Sequence, residues 1–246
     1  MKTLHIWPEN PRACDGEVSL RAVFDGFDSG KKTVEIAVQQ SALPRIPSRS
    51  DHFALAALFP AMRAFETCVI HGKVSRSLLA NLCELNAIWH VWRPETYRLV
   101  EWKADQIVEA SVSSPVRKGH LFAFSGGVDA CATLLRHSDA RLGWRKLPIG
   151  AAVIVHGFDI PFTDQAGFNR AFDKAKRIAS NVGVPHFGVR TNIRDLPTNW
   201  EDSFAANVAS VLHLFNEVYE GGVFASCEPY RFPILPWGSN PVSNPF

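Results

Sequence analysis

The chain has 246 residues, which is long enough for one large domain or two small ones with a sizeable core. Lysine plus arginine number 26 against 24 for aspartate plus glutamate, so the net charge indicates neither a nucleic acid nor an anionic membrane as a partner. The five cysteines are scattered and odd in number, which argues against a disulfide framework and a zinc cluster. No apolar run approaches the length of a membrane span, so we expect a soluble, cytoplasmic protein.

The first hundred residues predict a small α+β domain. Residues 18–24 and 33–38 alternate like two strands around a turn at 25–30 that is rich in Asp, Gly and Ser, which predicts an opening hairpin. Asp51 is the expected cap of the first helix, and Pro60 is expected to break or kink that helix. The remaining expected elements of this half are the helix at 52–59, a strand at 67–71, a helix capped by Ser75 that runs to about Trp92, and a strand at 97–102.

A polar stretch with proline and glycine at 111–119 is typical of a linker, and it predicts a boundary between a domain at 1–115 and a domain at 116–246. Beyond it strands and helices alternate, which indicates parallel strands joined by right-handed crossovers. We therefore expect an α/β fold whose open, mostly parallel sheet binds ligands beyond the carboxyl ends of its strands. The expected strands are 120–124, 151–156, 186–190 and 223–226, and the expected helices are 128–137, 164–182 and 200–219.

A glycine pair follows the first of these strands, in the sequence Leu-Phe-Ala-Phe-Ser-Gly-Gly-Val-Asp at 121–129. Gly126 and Gly127 let the backbone approach an anion closely, and the unpaired amides at the start of the next helix point at it with the positive end of the dipole. Ser125 adds a hydroxyl donor, and Asp129 adds a carboxylate suited to a magnesium ion. The pattern predicts a phosphate-binding loop, with a tight turn in an ordinary α/β unit as the alternative.

This loop resembles the Ser-Gly-Gly-x-Asp-Ser loop of the N-type ATP pyrophosphatases (the PP-loop superfamily), which split ATP to AMP and pyrophosphate in order to adenylate a substrate. Five of the six positions agree, and the family's final serine is Ala130 here. The resemblance implies a fold of the adenine nucleotide α-hydrolase (HUP) type, ATP and Mg²⁺ as cofactors, Ser125 and Asp129 as catalytic residues and Asp129 as the magnesium ligand. It implies that the nucleotide contacts Phe124, Ser125, Gly126, Gly127, Val128, Asp129, Ala130, Val155, His156 and Gly157.

The second candidate segment ends the strand at 151–156. The resemblance implies that Val155 and His156 meet the adenine there. Gly157 permits a sharp turn, and Asp159 can face the ribose or the second substrate. The alternative, in which His156 is a core histidine and Asp159 a turn residue, stays open.

The third candidate segment, at 191–194, follows the next strand. Thr191 and Asn192 can hydrogen-bond a polar ligand, and Arg194 can hold a carboxylate or a phosphate in a bidentate fork. These three residues, with Asp159, are the expected substrate contacts. The alternative is that Asn192 caps a short turn while Arg194 pairs with Asp195.

The segment at 227–241 is dense in proline and aromatic residues, which excludes a regular helix or a central strand. Its Pro-Trp-Gly-Ser-x-Pro order, with Gly-Phe-Asp at 157–159 and Thr-Asn-Ile-Arg at 191–194, resembles relatives of 7-cyano-7-deazaguanine synthase, some of which sit in anti-phage islands. The queuosine-pathway synthase carries a four-cysteine zinc site in this region, where this chain has only Cys227, so zinc is not expected. Relatives tend to continue past the position of Phe246, so we expect a protein that is either naturally short or continues in a C-terminal part beyond this sequence.

The resemblance implies an enzyme that adenylates a carboxylate, of a deazaguanine (deazapurine-like) type, and then transfers it to a nitrogen nucleophile, either ammonia or an amine of a modified partner protein. Because Ala130 has no hydroxyl, backbone amides and a basic side chain, either Arg194 or Arg231, are expected to hold the leaving pyrophosphate. Two alternatives stay open. One is a tRNA-thiolating enzyme of the same fold, for which neither paired cysteines nor a basic face are visible, and the other is a catalytically impaired nucleotide-binding module. A homodimer is also left open.

Overall fold

The computed structural model describes residues 2–109, 118–225, 231 and 234–246, and within them ten strands form one open sheet with six α-helices packed against it. The strands are β1 (Thr3–Pro8), β2 (Arg12–Cys14), β3 (Glu17–Asp25), β4 (Lys32–Gln39), β5 (Thr67–Ser75), β6 (Glu101–Val108), β7 (His120–Ala123), β8 (Ile149–His156), β9 (His186–Thr191) and β10 (Gly221–Phe224). The helices are α1 (Asp51–Ala56), α2 (Leu58–Ala64), α3 (Arg76–Trp92), α4 (Val128–Ser138), α5 (Gln165–Asn181) and α6 (Trp200–His213).

The sheet is mixed, with parallel pairs in the majority. Its order is β10-β7-β8-β9-β4-β3-β1-β5-β6, and β2 pairs with β3 at one side of this path. Five of the nine strand pairs are parallel, namely β1 with β5, β5 with β6, β7 with β8, β8 with β9 and β10 with β7. The α/β class with an open, mostly parallel sheet is therefore confirmed.

The four strands of the C-terminal half are all parallel and lie in the order β9-β8-β7-β10. Counted along the chain this is third, second, first, fourth, the order of doubly wound sheets, and the direction of winding reverses between β7 and β10. Alternate side chains of each strand serve opposite faces. Phe122 and Ala152 pack under Leu134 of α4 and Ala175 of α5, whereas the preceding residues of β7 and β8 pack on the face that α6 covers.

The N-terminal half joins the same sheet with all of its strands except β3 reversed. Strand β4 pairs antiparallel with β9, and from there β3, β1, β5 and β6 extend the sheet. Helices α1, α2 and α3 cover the same face as α6, and the Ser210 hydroxyl of α6 donates to the His52 carbonyl of α1 at 2.6 Å. No described helix packs on the other face of β1, β3, β5 and β6. The expected linker and the boundary at 115 fall on residues 110–117, outside the described part of the chain.

Several local expectations are confirmed. The hairpin forms as β3 paired antiparallel with β4. Ser75 caps α3, because its hydroxyl accepts from the Leu78 amide at 3.3 Å. The expected strands near 120, 151 and 186 are β7, β8 and β9, and the fourth is β10, although Ser226 lies outside the described residues. None of the described helices combines the length and the apolar character needed to cross a membrane.

Other local expectations were wrong. Ser50, not Asp51, stands at the N-cap of α1, and the Asp51 carboxylate accepts instead from the Ser75 amide at 2.8 Å. The first helix is interrupted at Ala57, and Pro60 lies in the first turn of α2, where its missing amide costs nothing. The strand expected at 97–102 begins only at Glu101, and the helix expected to reach 219 ends at His213. Strand β1 was not expected from the sequence.

Candidate functional site

A cleft of about 430 Å³ opens at the carboxyl ends of β7, β8 and β10. This is the place where the winding of the sheet reverses, and its volume is in the range of small-molecule sites. The described residues that line it are Ala123, Phe124, Ser125, Gly127, Val128, Asp129, Ala130, Val153, Ile154, Val155, Phe158, Asp159, Ile160, Phe204, Val208, Phe224 and Ala225.

The glycine pair joins β7 to α4, and Gly127 lines the cleft whereas Gly126 is buried and does not. Gly126 has a left-handed φ of 76°, which favours glycine, and a Cβ there would lie 3.5 Å from Ala175 of α5. Gly127 is the N-cap of α4 with an ordinary φ of −70°, and its amide donates to the Ser125 hydroxyl at 3.4 Å. Because the first amides of a helix have no intrahelical partner, the start of α4 presents donors and a positive dipole end to the cleft.

The charged groups of the cleft are carboxylates. Asp129 is exposed in the first turn of α4, and Asp159 is exposed beyond the end of β8. No lysine or arginine is among the described lining residues. An anionic ligand in this cleft therefore needs a cation to offset both its own charge and that of the two carboxylates, which is the way Mg²⁺ commonly binds with phosphates.

Ala130 stands where the resemblance expects a serine. Its side chain is 8% exposed and packs with Leu134 of α4 and with Ala175 on the core side, while its other side lines the cleft. The position is therefore a boundary between core and cleft, and a hydroxyl there would be largely screened from water.

The second candidate segment contributes part of the lining. Val155, Phe158 and Asp159 line the cleft. His156 does not: it is 3% exposed, its Nε2 donates to the Pro161 carbonyl at 3.1 Å, and its ring stacks on Phe168 with centroids 4.3 Å apart. The structure thus places His156 in the core behind the cleft.

Gly157 permits the turn between β8 and the cleft. Its φ is 105°, and a Cβ at this position would lie 1.9 Å from the Thr191 carbonyl oxygen. Only glycine satisfies both the backbone conformation and this close approach. The expectation that Gly157 allows a sharp turn is confirmed.

The third candidate segment is bonded to the N-terminal half. Thr191 is 1% exposed, and its hydroxyl donates to the Glu35 carbonyl at 2.7 Å. The side-chain Oδ1 of Asn192 accepts from the Glu35 amide at 2.8 Å, and its Nδ2 donates to the Thr33 carbonyl at 2.9 Å. These side chains tie the end of β9 to β4, and neither residue lines the cleft.

Arg194 connects the third segment to the second. Its guanidinium donates to the Phe158 carbonyl at 2.6 Å and lies 4.5 Å from the ring centroid of Trp200. The alternative pairing of Arg194 with Asp195 is not formed, and Asp195 instead accepts from Asn192 at 3.4 Å. Arg194 holds the turn that carries Phe158 and Asp159, so it positions the cleft wall without lining it.

Sequence reasoning missed the far wall of the cleft. Phe204 and Val208 of α6 line it, as do Phe224 and Ala225 at the end of β10. Phe204 and Val208 are four residues apart on one helix face, a spacing that also fits ordinary core residues. These residues can be recognised as cleft lining, and not as ordinary core residues, only once β10 is known to lie beside β7. The sheet order shows this, and the sequence does not.

His186 of β9 was also missed. Its Nε2 donates to the carbonyl of Phe124, the residue before the loop, at 3.3 Å, and burial lowers the pKa of its ring below the usual range. Its Nδ1 is buried without a partner among the described residues. A neutral His186 therefore holds the backbone that enters the loop.

The described part of the proline-rich segment packs on the start of α6. The Gly238 amide donates to the Glu201 carbonyl at 3.0 Å, and the Trp237 ring contacts Phe204 with centroids 5.9 Å apart. It thus supports the helix face that lines the cleft. Cys227, on which the expectation about zinc rests, lies outside the described residues.

Within the described ranges, no group of three or more His, Cys, Asp and Glu side chains could hold a metal ion by itself. Two carboxylates remain available to a cation that a phosphate ligand also holds. Protein-family models, curated proteins and solved structures were compared with the chain, and none matches.

Proposed function

We propose that the chain binds Mg²⁺-ATP in this cleft and adenylates a carboxylate substrate with release of pyrophosphate. One observation carries the proposal: a glycine-containing loop and the N-terminus of α4 open into a cleft at the switch point between β7 and β10. Doubly wound sheets bind nucleotides at this point. On this proposal the fold is of the HUP type, and the protein works in the cytoplasm.

The phosphates would lie against the start of α4. Ser125 and the first amides of the helix donate to phosphate oxygens, and the absence of a side chain at Gly127 leaves the approach open. Asp129, with Asp159 opposite, would hold the cation. When bound, Mg²⁺ neutralises phosphate charge that the described lining, which lacks basic side chains, leaves unopposed.

The adenosine would occupy the apolar part of the cleft. Val155 and Phe158 from the end of β8 face Phe204 and Val208 of α6 across it. Apolar and aromatic side chains of this kind suit a flat purine ring. His156 acts from behind, because its ring and its hydrogen bond to Pro161 fix the end of β8.

In the reaction, the substrate carboxylate attacks the α-phosphorus in line, and the bond from that phosphorus to the bridging oxygen of pyrophosphate breaks. The chain contributes positioning and hydrogen-bond donors more than proton transfer. The acyl-adenylate then reacts with a nitrogen nucleophile. We propose a deazapurine-like carboxylate as substrate on the resemblance alone, with Asp159 of the cleft lining as its polar contact. We leave Thr191 and Asn192 out because the fold uses their donors and acceptors.

Ala130 favours a second candidate, a module that binds ATP without splitting it. The missing hydroxyl and the partly buried position both reduce the donors available to a leaving pyrophosphate. Arg194 does not replace it, since it is bonded to Phe158 and stacked on Trp200. A tRNA-thiolating activity has less support, because none of the described cysteines lines the cleft and burial raises the pKa of the Cys68 thiol.

Pyrophosphate release tests the activity. The full chain is incubated with Mg²⁺-ATP and a panel of deazaguanine carboxylates. We expect release with one of them, and an Asp129→Asn variant should lose most of it while keeping its melting temperature. Asp173→Asn, an exposed carboxylate of α5 outside the cleft, is the matched control and should keep the parent rate. ATP binding without release from any carboxylate would leave the nucleotide-binding module.

Calorimetry with two glycine variants tests the placement of the nucleotide. A Cβ at Gly127 would meet only the Ser125 hydroxyl, at 3.5 Å, so Gly127→Ala should fold normally yet bind ATP at least roughly tenfold more weakly. Gly183 follows α5 in a left-handed conformation, and a Cβ there would contact nothing. Gly183→Ala should therefore lower the stability somewhat and leave the ATP affinity unchanged. Equal ATP affinity in the parent and in Gly127→Ala would overturn the placement.

A further inference from the structure

The uncovered face of the N-terminal half carries a cluster of ring side chains far from the cleft. His5 and Trp7 lie on β1, His71 lies on the parallel neighbour β5, and Asp105 lies on β6. Their strands place alternate residues on this face, and the core face holds Leu4, Ile6 and Ile70 instead. Trp7 is 47% exposed. The proposed nucleotide chemistry uses none of these side chains.

The two histidines meet at their ring nitrogens. His5 Nδ1 and His71 Nε2 are 2.9 Å apart, and their rings are nearly coplanar, with 15° between the planes. Two imidazole nitrogens bound to one ion at about 2.0–2.1 Å, with an angle of roughly 90–110°, are separated by about 2.9–3.4 Å. At this distance the two nitrogens share one proton in a hydrogen bond. The same spacing fits two ligands on one ion, which would replace that proton once each ring has turned by roughly 45°.

The Asp105 carboxylate lies on the side of the His71 ring away from His5. Its Oδ1 is 3.3 Å from His71 Nδ1, which favours the tautomer with the proton on Nδ1 and a lone pair on Nε2 directed at His5. A carboxylate behind the ligating histidine is the usual support of a metal site. The Trp7 ring stacks on His71 with centroids 3.4 Å apart and 6° between the planes, so the imidazole is held between neighbours.

The charge on this face also suits a cation. Asp25 of β3 lies opposite His5 in the sheet register, and its carboxylate is paired with Lys31 at 3.0 Å. Asp105 has only His71 as its ion-pair partner among the described residues. A cation between the two rings would thus have one carboxylate behind it that no lysine or arginine neutralises.

We propose that His5 Nδ1 and His71 Nε2 bind a divalent transition-metal ion, with water completing its coordination and Asp105 positioning His71. Imidazole donors select Cu²⁺, Ni²⁺ or Zn²⁺ and not Mg²⁺, which prefers oxygen ligands. On binding, His5 carries its proton on Nε2. The site has two protein ligands, in keeping with the lack of any group of three in the described ranges.

Calorimetry without nucleotide tests the site, so its result is independent of the proposed function. The metal-free protein should bind Cu²⁺ more tightly than Ni²⁺ or Zn²⁺. Any heat measured with Mg²⁺ should be the same in the parent and in His5→Gln, because Mg²⁺ does not use this site. His5→Gln and His71→Gln should each weaken Cu²⁺ binding at least roughly tenfold, and Asp105→Asn by roughly tenfold. His137→Gln is the matched control, since His137 at the end of α4 accepts from the Leu147 amide and should leave binding unchanged. Unchanged affinity in both His5→Gln and His71→Gln would overturn the site.

Spectroscopy on folded protein gives a second measurement that does not need a histidine variant. The electron paramagnetic resonance spectrum of the Cu²⁺ complex should show hyperfine coupling to two nitrogen ligands, and Cu²⁺ should quench the fluorescence of Trp7, which touches His71. Trp7→Phe should keep the affinity and the nitrogen coupling but lose that part of the quenching. A spectrum without nitrogen coupling would place the ion elsewhere. Equal quenching in Trp7→Phe and in the parent would do the same.

Discussion

The two halves of the sheet differ in coverage and in strand direction. In the C-terminal half, α4 and α5 cover one face and α6 covers the other, so side chains of the central strands are buried and polar groups collect in the loops at one edge. In the N-terminal half only one face is covered, and polar side chains alternate along the strands of the open face. In the C-terminal half, the candidate site is therefore formed by loops at the ends of strands. In the N-terminal half, the proposed metal site is formed by side chains that strand pairing brings together on the open face.

Several contacts join the halves, among them joints whose hydrogen bonds are buried or partly buried. Thr191 and Asn192 bond the end of β9 to β4. On the covered face, α1 packs on α6 around His52, and Asp202 of α6 accepts from the Tyr97 hydroxyl at 2.6 Å. Because α6 carries part of the cleft wall and Thr191 lies against the turn at Gly157, the shape of the cleft depends on the N-terminal half. Substitutions at the joints measure how strongly.

The largest effect is expected from Gly157→Ala. The new Cβ would lie 1.9 Å from the Thr191 carbonyl at a φ of 105°, so the turn beside the cleft must move away from the joint with β4. We expect the free energy of unfolding to fall by at least roughly 3 kcal/mol, with loss of ATP binding in whatever remains folded. Urea unfolding and calorimetry measure the two. The control Gly183→Ala shares the left-handed conformation without the clash and should cost only about 1 kcal/mol.

The next effect is an acid destabilisation from the α1–α6 joint. Burial, and then the neighbouring His213, lowers the pKa of His52 from 6.5 to about 3, and burial lowers the pKa of His213 as well. A lowered folded-state pKa gives stability that is present above the unfolded value of 6.5 and is lost as the pH falls toward about 3. His52 should therefore remove up to roughly 1.4 kcal/mol per pH unit between about pH 6 and about pH 3, and His213 acts in the same direction.

His52→Leu checks this dependence. Both ring nitrogens of His52 are buried without a partner in the described structure, so the variant should be at least as stable as the parent at pH 7.5. It should also lose the part of the pH slope between pH 6 and pH 4.5 that His52 contributes, while the part from His213, which Asp51 and Arg49 also face, remains. Identical slopes in the parent and in His52→Leu would show that the joint does not sense acid.

A smaller effect is expected from Tyr97→Phe. The Asp202 carboxylate is buried and would keep only Arg93, at 3.3 Å, as a charged partner. The loss of a hydrogen bond to a buried charge should cost roughly 2 kcal/mol of unfolding free energy. Tyr219→Phe removes a hydroxyl with no hydrogen bond among the described residues and should change it by less than about 0.5 kcal/mol. Equal losses in the two variants would mean that this joint does not couple the halves.

The sequence predicts the elements with local signals and misses those that depend on distant partners. Ser75 caps α3 and Asp164 caps α5, because a capping side chain bonds to an amide two or three residues away. Strand β1 was missed because its hydrophobic side chains become a core face only once β3 and β5 lie beside it.

The candidate site divides in the same way. The loop at 125–129 and the turn at Gly157 are local, and the structure has both at the expected edge of the sheet. Thr191 and Asn192 look like ligand donors in the sequence because their partners on β4 lie more than 150 residues earlier. A polar cluster after a strand is thus equally compatible with a ligand and with a neighbouring strand, and only the sheet order separates the two.

The smallest change in stability is expected from Ala130→Ser. This variant tests whether the cleft of the C-terminal half only binds ATP or also splits it. The position is the third residue of α4, where serine costs only about a few tenths of a kcal/mol by helix propensity. If the missing hydroxyl is the only handicap, the variant should release pyrophosphate faster, by up to roughly the hundredfold associated with one transition-state donor, at unchanged ATP affinity. Pyrophosphate assays and calorimetry on both proteins separate these effects. Tight ATP binding by both, with no pyrophosphate from any carboxylate, would mean that the cleft holds a nucleotide without splitting it, because the donor was then not what limited the reaction.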